Sequence, residues 1–225
     1  MVDHVECLAH AAQSYSQSAY AEFTHSLSFE WSFLQRVVGG LKDEYIPLRD
    51  VIHTVLAPAI LGREVLQTEH DLLSLPAKFG GLALSDPVQS TSVAYETLKK
   101  ATELLIEAVN SGTPVDSDVY RFDSDSNLKE ATKQRMADQS KLAKQIISTL
   151  LAPTQRTLQR IVQSNASTWV TVLPLQADSY DLSATQFRDQ LAIRYHHEPA
   201  GLPSKCDGCG ESFSLQHGLD CKKVA

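Results

Sequence analysis

Residues 127–164 read NLKEATKQRMADQSKLAKQIISTLLAPTQRTLQRIVQS and carry the longest helical pattern in the chain. Their apolar side chains recur with the 3.6-residue period that places them on one face of a helix. The residues concerned are Leu142, Ile146, Ile147, Leu150 and Leu151, followed by Leu158, Ile161 and Val162. Pro153 falls inside the pattern and predicts a kink or a break. A stretch of this kind predicts a mainly α-helical protein.

The same stretch is basic inside an acidic chain. The 225 residues carry a formal net charge of −7, whereas residues 127–165 contain seven basic and two acidic side chains. Lys133, Lys141 and Lys144 fall near one face of the predicted helix, because they are spaced eight and three residues apart. Such a row of lysines can contact phosphates and bind nucleic acid without sequence preference. A solvated helix face is the alternative interpretation.

The first part of the chain, residues 1–111, is predicted to be a helical region. Residues 5–38 contain few helix breakers and are followed by two glycines. Residues 47–57 place apolar side chains at i, i+3, i+4, i+7 and i+8. A third helix is expected from Pro87 to about Val109, with a serine or aspartate before it as the cap.

Residues 112–126 are predicted to form an acidic loop. Asp123, Asp125 and Asn127 have the spacing that begins a calcium-binding loop. Leu128 stands where that loop needs glycine, and Gln134 where it needs glutamate. We therefore interpret this segment as a solvated loop.

Residues 127–200 are expected to contain the long basic helix, a short strand and a capped helix. The strand is predicted over 169–173, where the sequence is WVTVL and a proline follows. Ser183 and Gln186 have the spacing of a capping box, which opens a helix ending near Tyr195. The fold class we predict is an irregular helical bundle with a small zinc-stabilised tail at the C-terminus.

The tail, residues 201–225, has the spacing C-x2-C-x7-H-x3-C. The four residues are Cys206, Cys209, His217 and Cys221. A C-x2-C turn presents two thiolates from one tight loop, and one helical turn brings a histidine and a cysteine four residues apart to the same side. Four ligands fill the tetrahedral shell of Zn²⁺, so the spacing indicates a structural zinc site with no open position.

The cysteines and histidines also allow other interpretations. Cys206 and Cys209 could be a redox pair, or the clustering could be chance, but a redox pair usually opens a helix after a core strand. Cys7 lies far from the tail in a predicted helix, where a buried apolar role suits it. His196, His197 and Glu198 are interpreted as a surface turn, because adjacent histidines in an extended turn point apart.

Composition and missing motifs exclude several classes. At 24.8 kDa with 43% hydrophobic residues, the chain can bury a core in one large or two small domains. We see no apolar run near the 18 or so residues of a membrane helix, and no signal-peptide pattern at the start. We therefore expect an intracellular protein, in the nucleus or the cytoplasm, with no membrane partner. Glycine-rich phosphate loops and the G-x-S-x-G motif do not occur.

Two blocks of sequence accompany the tail. Residues 75–84 read LPAKFGGLAL and are followed by Asp86-Pro87, and residues 173–203 run from one Leu-Pro pair to another through the capped helix. In this order, and closed by C-x2-C-G and H-x-L-x-C, these blocks resemble the region after the polymerase domain in reverse transcriptase polyproteins of non-long-terminal-repeat retrotransposons. The resemblance spans about residues 75–221, and the zinc spacing is its specific part.

The resemblance implies a thumb-like helical region followed by a CCHC zinc knuckle. In the family these parts hold template RNA or target DNA beside the polymerase and the endonuclease. Only the four tail residues that carry the zinc spacing map onto a functional pattern. The sequence contains no Tyr-x-Asp-Asp polymerase motif and no endonuclease region. We therefore expect a non-catalytic part of such a polyprotein, neighbouring its polymerase and endonuclease domains.

The resulting hypothesis is a protein that binds RNA or DNA and is not an enzyme. The helix lysines Lys133, Lys141 and Lys144 would contact phosphates, and three more flank the knuckle: Lys205, Lys222 and Lys223. Trp169 and Phe213 could stack on bases, although core roles are favoured. Two alternatives stay open. One is a protein-interaction module in which the zinc knuckle only stabilises the tail and a partner protein binds the helical face of 5–38. The other is a decayed reading frame without function.

Overall fold

A computed structural model describes residues 1–164 and 166–223, and this part of the chain is helical and contains no β-strand. The predicted mainly α fold is confirmed. The helices in the first half are α1 (Val2–Ala12), α2 (Ser16–Glu22), α3 (Ser28–Val37), α4 (Ile46–Val51), α5 (Ala57–Leu61), α6 (Gln67–Ser74) and α7 (Pro87–Ala101). They are followed by α8 (Glu103–Ser111), α9 (Ser117–Thr149), α10 (Ala152–Gln163), α11 (Ala184–Arg194) and α12 (Leu215–Asp220). Single π-helical turns join α2 to α3 and α4 to α5.

One part of the hydrophobic core lies where the first five helices meet α11. Phe23 and Trp31 are buried with their ring centroids 5.9 Å apart. Phe187, on α11, is fully buried and packs 5.7 Å from the ring of Tyr20. Buried aromatic side chains each remove about 150–250 Å² from water, so this cluster is a principal source of stability. A helix from the last fifth of the chain thus completes a core that the first sixty residues begin.

Arg188 fixes α11 on that core. Its Nη2 donates hydrogen bonds to the carbonyl oxygens of Ala12, at 2.9 Å, and Ala59, at 2.8 Å. These carbonyls belong to the last residue of α1 and to α5, and a cation is favoured near a helix C-terminus. One guanidinium therefore holds three helices in a fixed relation.

The block LPAKFGGLAL forms a buried turn after α6. Gly80 adopts a left-handed conformation with φ of +96°, which favours glycine. The hydroxyl of Tyr195 donates to the carbonyl of Gly80 at 3.1 Å, and Arg194 Nη2 donates to the carbonyl of Ala77 at the same distance. Hydrogen bonds from the end of α11 therefore hold this turn in place.

The expectation of an acidic loop over 112–126 is wrong for most of its length. Helix α9 begins at Ser117, and only the first residues of the segment form a connection. Asp116 caps the helix, since its carboxylate accepts hydrogen bonds from the backbone N–H groups of Asp118 and Val119. Negative charge at a helix N-terminus is stabilised by the helix dipole. The acidic residues therefore start the long helix and do not form a loop.

The break predicted at Pro153 is confirmed, and one further detail of the predicted region 127–200, the strand, is wrong. The long helix ends at Thr149, before Pro153, and Pro153 lies in the first turn of α10, where its missing N–H has no cost. The strand predicted over 169–173 is instead a 3₁₀ turn at Thr168–Thr171. The described residues offer this run no partner strand, and Val170 is buried against the helices.

The N-terminal helices are also more divided than the sequence indicates. The stretch 5–38 is interrupted between α1 and α2, and the stretch 87–109 is divided at Thr102, which ends α7 and precedes α8. Helix α6 was not predicted. The predicted capping box of α11 is confirmed. Ser183 Oγ accepts a hydrogen bond from the N–H of Gln186, and Gln186 Oε1 accepts one from the N–H of Ser183.

Glu69 ties the start of α6 to the segment after α11. Its carboxylate accepts two hydrogen bonds from Arg63, at 2.7 and 2.8 Å, and one from the N–H of Leu66. His197, expected in a surface turn, lies with Nε2 3.2 Å from Glu69 Oε1. Burial raises the pKa of Glu69, but the hydrogen bonds from Arg63 and Leu66 outweigh it and lower the pKa from 4.5 to about 2.

This lowered pKa predicts an acid-sensitive contribution to stability. A carboxylate with a depressed pKa in the folded state contributes fully above about pH 4.5, and the contribution is lost as the pH falls towards 2. We expect Glu69→Gln to lower the free energy of unfolding by about 2–3 kcal/mol at neutral pH and by progressively less below pH 4.5. Urea denaturation across this range measures the effect. Glu64→Gln, at an exposed neighbouring position, is the control; equal losses in both variants would contradict the prediction.

Candidate metal centre

The first half of the centre is a short hairpin around Cys206 and Cys209. Lys205 and Ser212 form an antiparallel bridge, and the N–H of Cys206 donates to the carbonyl of Glu211 at 2.8 Å. The N–H of Gly210 donates back to the carbonyl of Cys206, also at 2.8 Å. Gly210 has a φ of +77°, which favours glycine and lets the chain turn immediately after the second cysteine. The hairpin thus presents both thiols from one end.

Helix α12 supplies the second half. Ser214 caps it, since its Oγ accepts a hydrogen bond from the N–H of His217 at 3.1 Å. The helix ends just before Cys221, so His217 and Cys221 lie one turn apart, as the spacing predicts. The ring of Phe213 packs edge-on against His217, with centroids 6.3 Å apart. Phe213 therefore supports the histidine from the side, which agrees with the favoured packing role.

The four predicted ligands come together. Their ligand atoms all lie within 4.8 Å of one another, so the cluster could hold a metal ion. Cys206 Sγ lies 3.7 Å from Cys221 Sγ, and Cys209 Sγ lies 3.1 Å from His217 Nε2. A disulfide would need sulfur atoms about 2.05 Å apart. A tetrahedral ion with metal–sulfur bonds of about 2.3 Å needs sulfur–sulfur edges of about 3.8 Å, which agrees with the observed separation.

Backbone amides favour the thiolate at Cys206. Hydrogen bonds from the N–H groups of Cys209 and Gly208 lower the pKa of Cys206 to about 6. At Cys209 a hydrogen bond from the N–H of Glu211 lowers the pKa, but burial and the neighbouring thiols prevail and raise it. A thiolate is the form that binds a metal, so these amides favour metal binding at Cys206. Residue spacing alone did not reveal these amides, although the two glycines next to the cysteines were a signal.

The predicted nucleic-acid contacts are exposed in two groups. Lys133, Lys141 and Lys144 lie on α9, where they project within about 80° of one another. Lys133 has one neighbouring acid, Glu130, at 3.9 Å, and both side chains are largely exposed. The second group lies around the metal centre: Lys205, Lys222 and Lys223 are all exposed. Each group offers cations to solvent, as phosphate contacts require.

Trp169 is placed against the core. Its ring meets Phe187 edge-on at 6.0 Å and is only half-buried. The favoured core role therefore agrees with its position. Cys7 is exposed on α1, which differs from the buried role predicted for it, and it does not belong to the metal cluster.

Comparisons with models of known protein families, with curated proteins and with solved structures found no match. Within residues 1–164 and 166–223, the helices are either too short or too polar to cross a lipid bilayer. The function of the chain therefore has to be inferred from the arrangement of its own side chains.

Proposed function

We propose that the cluster of Cys206, Cys209, His217 and Cys221 binds Zn²⁺ as a structural site. Three sulfur donors and one imidazole are a set that structural zinc sites use, and the four ligand atoms lie within 4.8 Å of one another. All four positions would be filled by protein, which leaves no place for a substrate. In this role the ion holds the hairpin to α12, because a segment of this size has little core of its own.

We further propose that the protein binds nucleic acid non-specifically, as a non-catalytic part of a retroelement reverse transcriptase-like protein. The observation that carries this proposal is the pairing of a Cys₃His cluster with exposed lysines around it and along α9. The chain is acidic overall, but residues 127–165 carry seven basic and two acidic side chains, so positive charge is concentrated along this segment. RNA or DNA would be held through phosphates, with an affinity that depends on salt.

The test is the salt dependence of binding to labelled single-stranded RNA and duplex DNA by zinc-loaded protein. We expect affinity to fall steeply with salt concentration. Replacing Lys133, Lys141 and Lys144 by glutamine should reduce the slope of log K against log salt by about 2–3, since each phosphate contact contributes about 0.7–0.9. Removing zinc should weaken binding further through the loss of the lysines that the knuckle positions.

A matched control removes three exposed lysines elsewhere: Lys42, Lys99 and Lys100. This variant changes the net charge equally and should leave the slope almost unchanged. Equal effects of the two triple variants would show that only net charge matters. Failure of the folded, zinc-loaded protein to bind at low salt would reject the proposal.

One observation favours the alternative of a protein-interaction module. Helix α3 exposes Phe29 and Phe33, which are 61% and 60% accessible and lie one helical turn apart. Exposed aromatic pairs of this kind are typical of protein contacts. Under this alternative Phe33→Ser would abolish capture of a protein partner and leave nucleic-acid binding unchanged.

A further inference from the structure

Helix α8 and most of α9 contribute no buried side chain, although α9 also packs along α7. No residue of α8 is buried, and the buried residues of α9 are Ala143 and Ile147, near its far end. We call residues 103–142, all of which the structure describes, the arm. Helices that bury nothing gain little from tertiary packing, although most helical stability in proteins comes from such packing.

One face of the arm carries an ordered pattern of charge. Asp118, Phe122, Asp125, Lys129 and Lys133 are all exposed and, at 100° per residue, project within about 80° of one another. We call these five residues the α9 stripe. Phe122 is 80% accessible. Along the helix the stripe has two acids, one on each side of an aromatic ring, and then two bases.

The stripe is complementary to itself when reversed. A second copy lying antiparallel would place the acidic half of each helix against the basic half of the other. With a two-fold axis near Asn127, Asp125 of one chain faces Lys129 of the other, and Phe122 lies beside the alkyl stem of Lys133. Within the described residues Asp125 and Lys129 form no ion pair closer than 4.0 Å, so both charges are available.

We propose that the protein self-associates as an antiparallel dimer through the α9 stripe. The separation of the stripe into an acidic and a basic half favours a second copy over other partners. Nucleic acid would be repelled by the acidic half, and a uniformly acidic or basic protein would be repelled by one of the two halves. The stripe spans about 22 Å of helix, which predicts a small and reversible interface. Only Lys133 is shared with the proposed nucleic-acid contacts, so the two proposals can fail separately.

Sedimentation velocity on the full-length, zinc-loaded and nuclease-treated protein tests this proposal. We expect a monomer–dimer equilibrium that weakens with salt. Asp125→Lys and Lys129→Glu should each raise the dissociation constant at least about tenfold, because each substitution creates two like-charge contacts across the axis. An equimolar mixture of these two variants should associate again, since opposite charges then face each other at both positions. Recovery on mixing distinguishes loss of the interface from misfolding.

Arg135→Glu is the control, because Arg135 is exposed on α9 but lies outside the stripe. It should leave association unchanged. The proposal is overturned if the nuclease-treated wild type stays monomeric at about 100 μM, or if the mixed variants do not associate.

Discussion

Replacing Cys221 by serine should abolish tight metal binding and unfold the tail while the helical body stays folded. The hydroxyl of serine is a poor ligand for a soft ion, so only three donors remain of the four whose atoms now lie within 4.8 Å. Loss of an outer partner of a metal site already costs about 10–100-fold in affinity, and loss of a ligand should exceed that range. Metal content after gel filtration and competition with a chromogenic chelator measure the change.

The body should survive because its core does not include the tail. The main hydrophobic cluster of the described residues ends, in chain order, with Tyr195. We therefore expect the NMR amide resonances of residues 204–223 to collapse towards unfolded positions in Cys221→Ser while those of α1 to α11 persist. Limited proteolysis should cut at the exposed Lys205 and Lys222 in the variant and more slowly in the metal-loaded wild type.

Cys7→Ser provides the matched control. It removes one thiol from the exposed face of α1, outside the cluster, and should bind the same amount of metal as the wild type. A Cys221→Ser variant that stays ordered and metal-loaded would contradict the assignment of this residue as a ligand. Equal loss of metal in both variants would show that the metal is bound non-specifically by free thiols.

The metal cluster could be predicted because its information is local. Its four residues lie within sixteen positions, and the hairpin and the single helical turn that gather them follow from glycine placement and the serine cap. The capping box of α11 was predictable for the same reason. By contrast, Asp116 carries an equally local signal, but the number of acidic residues after it suggested a loop. The capping role of the first aspartate in the series was the stronger effect.

The packing of α11 could not be predicted, because it depends on residues far apart in the chain. Arg188 donates to carbonyls that precede it by 176 and 129 residues, and nothing in the sequence near Arg188 identifies them. The failed strand has a similar cause. The run from Trp169 to Leu173 has high β-propensity, yet propensity is realised only against a neighbouring strand, and the surrounding elements are helices.

Gly81→Ala should destabilise the protein by more than about 4 kcal/mol, a loss that single substitutions rarely reach. A methyl group at this position would overlap the carbonyl oxygen of Leu75 and lie 2.5 Å from that of Leu72. Both are backbone atoms and cannot rotate away. Relief requires the turn to open, which would break the hydrogen bonds from Leu82 and Ala83 to the end of α6 and expose the fully buried Leu82.

Gly112→Ala separates this steric effect from backbone strain. Gly112 has a φ of +67°, but a methyl group there meets nothing within 4 Å, so only the cost of about 1–2 kcal/mol for a left-handed alanine applies. Gly80→Ala tests the adjacent glycine of the same turn. Gly80 has a φ of +96°, and a methyl group there would make only an ordinary contact with Leu158, at 3.4 Å. We expect urea denaturation to rank Gly81→Ala as the most destabilised of the three. A loss at Gly81 no larger than at Gly112 would mean that the turn yields easily, and that the second glycine of LPAKFGGLAL is not required by the close approach of α6.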